Sequence, residues 1–175
     1  MAGTNGSTDA PERGGSDAFE DVVALLNYPM FVVTTQADGE RSGCLVGFAS
    51  QVSINPPRFL IGLSNKNHTF EIASGAERLA VHLVGRDNLE LARLFGEETG
   101  DEVDKFAQCD WRTGPHGLPI LEDASAWFSG RILEQLALGD HVAFLLAPET
   151  GFAPDTIGDL VTFSDVRDFE PGHEA

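Results

Sequence analysis

Positive charge is scarce in this sequence: 28 acids stand against 11 bases, a formal net charge of −17, and lysine occurs only as Lys66 and Lys105. Nucleic acids and anionic membranes are bound through basic faces, so both are excluded as partners. Cysteine is nearly absent. Cys44 and Cys109 are too few for a disulfide framework and have no zinc-type spacing, so both read as reduced thiols. No apolar run approaches the ~20 residues of a membrane-spanning helix. The N-terminus lacks a basic-then-apolar leader, and the expected compartment is the cytoplasm. No GxGxxG turn joins a strand to a helix, so a dinucleotide would not be held in the Rossmann manner. The histidines form no HxH or HExxH pair, and no spacing asks for a metal.

Apolar residues make up 42% of the chain, enough for one domain with its own core. Residues 1–16 are small, polar and glycine-rich, and are expected to be a disordered tail. The domain is expected over 17–169, followed by a polar tail at 170–175. Asp17 with Glu20 reads as a capping box that opens a helix limited by Pro29. Strands are expected at 30–35, 41–53, 58–63, 78–84, 125–138, 141–148 and 159–166, with a hairpin at Asp38-Gly39 and a turn at Gly139-Asp140. Short helices are expected from His68 toward Gly75 and, behind a second capping box of Asp87 and Glu90, up to Gly96. The acidic run 97–104 reads as a solvated loop, and 111–119 as irregular. Mostly hairpin-connected strands with few helices predict an antiparallel barrel with helical additions.

Several segments in order resemble the flavin reductase family, the FMN-binding split β-barrels: Tyr28-Pro29-Met30-Phe31-Val32-Val33-Thr34-Thr35; Gly47-Phe48-Ala49-Ser50-Gln51-Val52-Ser53-Ile54-Asn55-Pro56-Pro57; Ser64-Asn65-Lys66-Asn67-His68-Thr69; Leu79-Ala80-Val81-His82-Leu83; Asp104-Lys105-Phe106; and Gly139-Asp140-His141. The match covers roughly 19–166. The chain departs from the family at Leu45-Val46-Gly47, where a Thr-Ala-Asn-type run is usual, and at His82, where the strand carries asparagine.

The resemblance implies an antiparallel split barrel, a homodimer with the flavin near its interface, and NADH- or NADPH-dependent reduction of FMN or FAD, with a flavin-dependent monooxygenase as a candidate recipient. A flavin ring needs a flat apolar slot and backbone hydrogen-bonding partners, and its phosphate needs donors and a cation. The small residues in Val46, Gly47, Phe48, Ala49, Ser50, Gln51 and Val52 suit a slot edge; a tight barrel corner explains them equally well. Lys66, Asn67, His68 and Thr69, at the start of a helix, suit the phosphate; a plain helix cap is the alternative. His82 is either a flavin contact or a half-buried core histidine. Lys105 is a second candidate cation. Phe106 either covers the flavin or nicotinamide, or packs in the core. His141 is the candidate catalytic residue that orients the nicotinamide. Trp111 and Trp127 read as packing residues. Two rivals remain at this point: a split-barrel carrier holding FMN, haem or F420 without turnover, and an interaction domain with an empty pocket.

Overall fold

The computed structural model describes residues 14–172. A single antiparallel seven-stranded sheet dominates it, in the order β2-β1-β5-β8-β9-β4-β3. The strands are β1 (Phe31–Ala37), β2 (Glu40–Val46), β3 (Ala49–Ser53), β4 (Arg58–Ser64), β5 (Arg78–Leu83), β8 (Ala126–Ala137) and β9 (His141–Phe152). Two further strands, β6 (Trp111–Thr113) and β7 (Pro119–Leu121), form a separate ribbon inside the stretch expected to be irregular. Four helices complete the fold: α1 (Gly15–Val23), α2 (His68–Gly75), α3 (Leu89–Glu97) and α4 (Phe163–Val166). Among the described residues no helix is long and apolar enough to cross a membrane.

The run of apolar residues in β1 explains its central place. Phe31 and Val33 face the barrel interior with Ile61, Leu63, Leu79, Val81, Phe144 and Leu146. Met30 and Val32 point the other way, into a second core beneath α3 with Leu91, Phe95 and Leu121. A strand buried on both faces carries no polar alternation, and this one has none. Asp38 and Gly39 take positive φ (51° and 82°), as the hairpin signal requires.

Four expectations are corrected. The strand read over 41–53 is two strands, because the chain turns at Gly47-Phe48 and leaves β2 and β3 as the opposite edges of the sheet. Residues 159–166 form no strand; two isolated bridges, Pro29 with Thr162 and Gly85 with Leu160, precede α4. The cap of α1 is Gly14, so Asp17 and Glu20 form no capping box. Before α3 the chain makes a 3-10 turn at Arg86–Asn88, and neither it nor α3 has a side-chain cap. A capping box does form at α4, between Thr162 and Asp165. The tail expected over 1–16 lies outside the described residues up to 13, and its last residues, Gly15 and Ser16, open α1. Residues 173–175 of the expected C-terminal tail also lie outside them.

Candidate functional site

The turn at Gly47-Phe48 creates a cavity of about 170 Å³ at the end of the barrel. Its walls are Val46, Gly47 and Phe48 from the turn, Gly62 and Ser64 from β4, Asn67 before α2, His141 at the start of β9, and Tyr28, Met30 and Phe163. Glycines make the walls thin. A Cβ on Gly62 would lie 3.1 Å from the Phe48 Cβ, and one on Gly47 would lie 2.7 Å from Tyr28 Cε2. The Tyr28 and Phe163 rings stack at 5.0 Å and 16°, giving the cavity one flat aromatic wall. The two rings come together because Phe163 N–H donates to Tyr28 O (2.9 Å), Ser164 N–H donates to Asn27 Oδ1 (2.9 Å), and Pro29 bridges Thr162.

The polar groups of the site are few. His141 Nδ1 lies 2.8 Å from Asp140 Oδ1. A carboxylate only accepts, so Nδ1 carries the proton and Nε2 is the ring nitrogen left for a ligand. The same hydrogen bond holds the Asp140 carboxyl below its usual range. Phe48, 60% exposed, meets the His141 ring edge-on at 4.9 Å. Asn67 caps α2, its Oδ1 accepting from Thr69 N–H at 2.8 Å. Cys44 also lines the cavity. Burial pushes its thiol up, so it is a neutral wall and not a thiolate.

The structure disperses the sequence-derived candidates. Val46, Gly47, Phe48, Asn67 and His141 meet at the cavity. Ala49, Ser50, Gln51 and Val52 follow it along β3, an edge strand that among the described residues pairs only with β4. Ala49 packs against the core, while Ser50, Gln51 and Val52 are exposed. Lys66 is exposed on the turn beside the cavity, where its charge helps to lower Asp140. Thr69, three residues beyond, is buried and bonds Ser42 Oγ at 2.9 Å.

His68, Lys105 and Phe106 line a different cleft of about 340 Å³ on the far side of β2. His68 sits among carboxylates there: Nε2 is 3.1 Å from Glu40 Oε1, and Nδ1 is 3.0 Å from Asp101 Oδ1 and 3.7 Å from Glu71 Oε2. Glu102 and Asp104 extend the acidic rim, which repels a phosphate. Among the described residues no group of three or more His, Cys, Asp and Glu could hold a metal ion.

Lys105 is 5% exposed, and its Nζ donates to Gly43 O (3.0 Å) and Phe95 O (3.4 Å). Burial pulls its pKa down. It ties β2 to α3. Lys105→Ala is therefore expected to cost about 3 kcal/mol, since two buried carbonyls lose their donor and a void opens. Urea denaturation checks this, and an unchanged midpoint would free Lys105 for a ligand role. Phe106 stacks edge-to-face on Phe95 and Trp111, inside the second core. His82 is wholly buried: Nδ1–H donates to Val32 O (3.0 Å), and Nε2 accepts from Leu121 N–H (3.2 Å). With both nitrogens engaged, it has nothing to offer a flavin.

Tyr28, Met30, Gly62, Ser64 and Phe163 were not among the sequence-derived site residues. The available signal for Gly62 was a glycine inside an otherwise bulky strand. Phe163 carried none, because its place depends on a contact with residue 28.

The chain is also similar to known proteins. A family model described as the flavin reductase like domain matches residues 23–165. A "Probable flavin reductase" of Rhizobium meliloti (strain 1021) is 29% identical over 73% of this chain, which spans only 40% of that relative's length. The reductase component of 4-hydroxyphenylacetate 3-monooxygenase from Pseudomonas aeruginosa is 30% identical over 75% of this chain and 78% of its own. An FMN reductase (NADH) of Klebsiella pneumoniae (strain 342) is 29% identical, over 74% and 79% respectively. Among solved structures, the NADH:FAD oxidoreductase of Streptomyces globisporus C-1027 superposes with a TM-score of 0.78 at 24% identity over 89% of this chain and 93% of that one. The expected split-barrel fold is thereby established.

Proposed function

We propose that this chain, which belongs to the family of flavin reductase like domains, binds FMN at the Gly47-Phe48 cavity and reduces it with NADH. The observation that carries the reading is the convergence of Gly47, Phe48, Asn67 and His141 on one aromatic-walled cavity beside an edge strand. These residues fit a flavin. The thin glycine walls and the Tyr28–Phe163 stack suit a flat ring. The unpaired edge of β3 offers backbone groups to the ring's polar rim. The Lys66-Asn67 turn before α2 brings a cation and helix amides to the phosphate end.

Bound flavin supplies the two-electron acceptor for the nicotinamide hydride, so the chain needs no acid or base for that transfer. The chain's part is to hold the two rings face to face. His141, fixed by Asp140 with Nε2 toward the ligand, orients the nicotinamide, and Phe48 covers the same side. Choice of FMN and NADH is supported by the relative that uses both in its name, and a flavin-dependent monooxygenase as recipient by the reductase component of such a system. A homodimer and a cytoplasmic setting belong to the same reading.

The test is a visible spectrum of the protein with FMN, taken anaerobically before and after NADH and then NADPH. Faster bleaching with NADH than free FMN shows is the expected result. Bound flavin that stays oxidised would make the protein a carrier, and no bound flavin would remove the function.

A further inference from the structure

Phe163 reaches the cavity on α4, a helix of only four residues. So short a helix does not hold its own shape in water, because nucleating a turn is unfavourable. Its shape therefore comes from outside contacts. Val166 anchors one side in the second core. Phe163 N–H and Ser164 N–H tie the first residues to Tyr28 and Asn27. These contacts fix where the helix starts. How its turn closes decides where the Phe163 ring points.

Asp165 closes that turn. Its side chain is 14% exposed, and its carboxylate accepts four hydrogen bonds. Oδ2 takes Thr162 N–H (2.9 Å) and Thr162 Oγ1–H (3.0 Å), within the cap of α4. Oδ1 takes Arg86 Nε–H (3.0 Å) and Nη2–H (2.7 Å). Arg86 lies just past β5, where the sheet already holds the segment before α4. Arg86 N–H donates to Asp159 O (2.7 Å), and Val161 N–H donates to Val84 O (2.9 Å). One carboxylate thus fastens α4 to itself and to the end of the sheet. The same bonds, Arg86 foremost, hold the Asp165 carboxyl below its usual range, so its charged form does the fastening. Asp165 is not itself a wall of the cavity.

We propose that Asp165 is a positioning residue: by clasping Thr162 and Arg86 it sets the α4 turn so that the Phe163 ring lies flat on Tyr28 and completes the slot. The effect on flavin rests on the reading above. The ring stack is a property of the chain alone and is measured without flavin.

Tyr28 is the only tyrosine in the sequence. Protein labelled with fluorotyrosine therefore gives a single fluorine resonance, whose position reports the Phe163 ring stacked on it. In the flavin-free protein, Asp165→Ala is expected to move this resonance toward its place in Phe163→Leu. With FMN added, Asp165→Ala is expected to bind at least about tenfold more weakly than the wild type. Arg86→Ala removes an exposed side chain and is expected to move the resonance the same way; it decides the matter if Asp165→Ala fails to fold. Asp165→Glu keeps a carboxylate, and glutamate is the usual acid at this place in a capping box, so it is expected to bring both readings back toward the wild type. A role confined to stability would lower the melting temperature and leave the resonance in place. An unmoved resonance in the folded variants overturns the proposal. A moved resonance with unchanged FMN affinity, or with no FMN bound even by the wild type, sustains the positioning and removes the flavin from this wall.

Discussion

Gly47→Leu is expected to lower FMN affinity at least about 100-fold, or about 2.7 kcal/mol of binding energy. A Cβ at this position would stand 2.7 Å from Tyr28 Cε2 and 3.1 Å from Met30 Sδ, both walls of the cavity. Tyr28 cannot simply swing aside. It is stacked on Phe163, and its backbone carbonyl accepts from Phe163 N–H. The added branch therefore either occupies the slot or breaks the aromatic wall. Overpacking of this kind also costs about 1–3 kcal/mol of stability, which leaves the barrel core itself untouched. Fluorescence titration with FMN, alongside thermal melting, separates the two effects. Full affinity in a folded variant would move the flavin out of this cavity.

Stability is expected to fall by about 3 kcal/mol between pH 6.5 and pH 4, with His82 as the cause. Burial lowers its pKa from 6.5 to about 4, against a weaker opposing pull from the Val32 carbonyl. In this window the unfolded chain binds a proton that the native chain refuses, so acid favours unfolding. The contribution is full above pH 6.5 and is lost progressively as pH falls through 4. The native ring must stay neutral because Nε2 accepts from Leu121 N–H and protonation would set two donors against each other. Urea midpoints measured across this range test the slope. His82→Gln should be less stable at pH 7 and lose most of the slope; an equal slope in the variant would assign it to another group.

The sheet was legible because its strands announce themselves locally. Val32-Val33 in β1, the Asp38-Gly39 turn and the Gly139-Asp140 turn each carry their own conformational preference. The break between β2 and β3 was harder: the glycine at 47 signalled an irregularity, but a bend and a bulge leave the same trace in sequence. Residues 159–166 carry strand-forming residues, yet in the structure they make only isolated bridges, with backbone hydrogen bonds to Val84 and Tyr28, before α4 begins. Within the site, residues close in sequence were found together. His68 and Lys105 were not, although their chemistry suited a phosphate. A side chain's type says what it can bind, while burial and neighbouring charge decide what it does bind. Lys105 meets carbonyls and His68 meets carboxylates.

The cavity wall joins residue 28 to residue 163, with its other members at 47, 62, 67 and 141. Contacts so distant along the chain form late during folding, since each requires the intervening segments to be in place. No partly assembled chain presents the site. A ligand held there adds to the stability of the finished molecule alone, in proportion to how far its concentration exceeds its dissociation constant. The amount of intact protein in a cell would then follow the supply of its own cofactor, without any dedicated sensor.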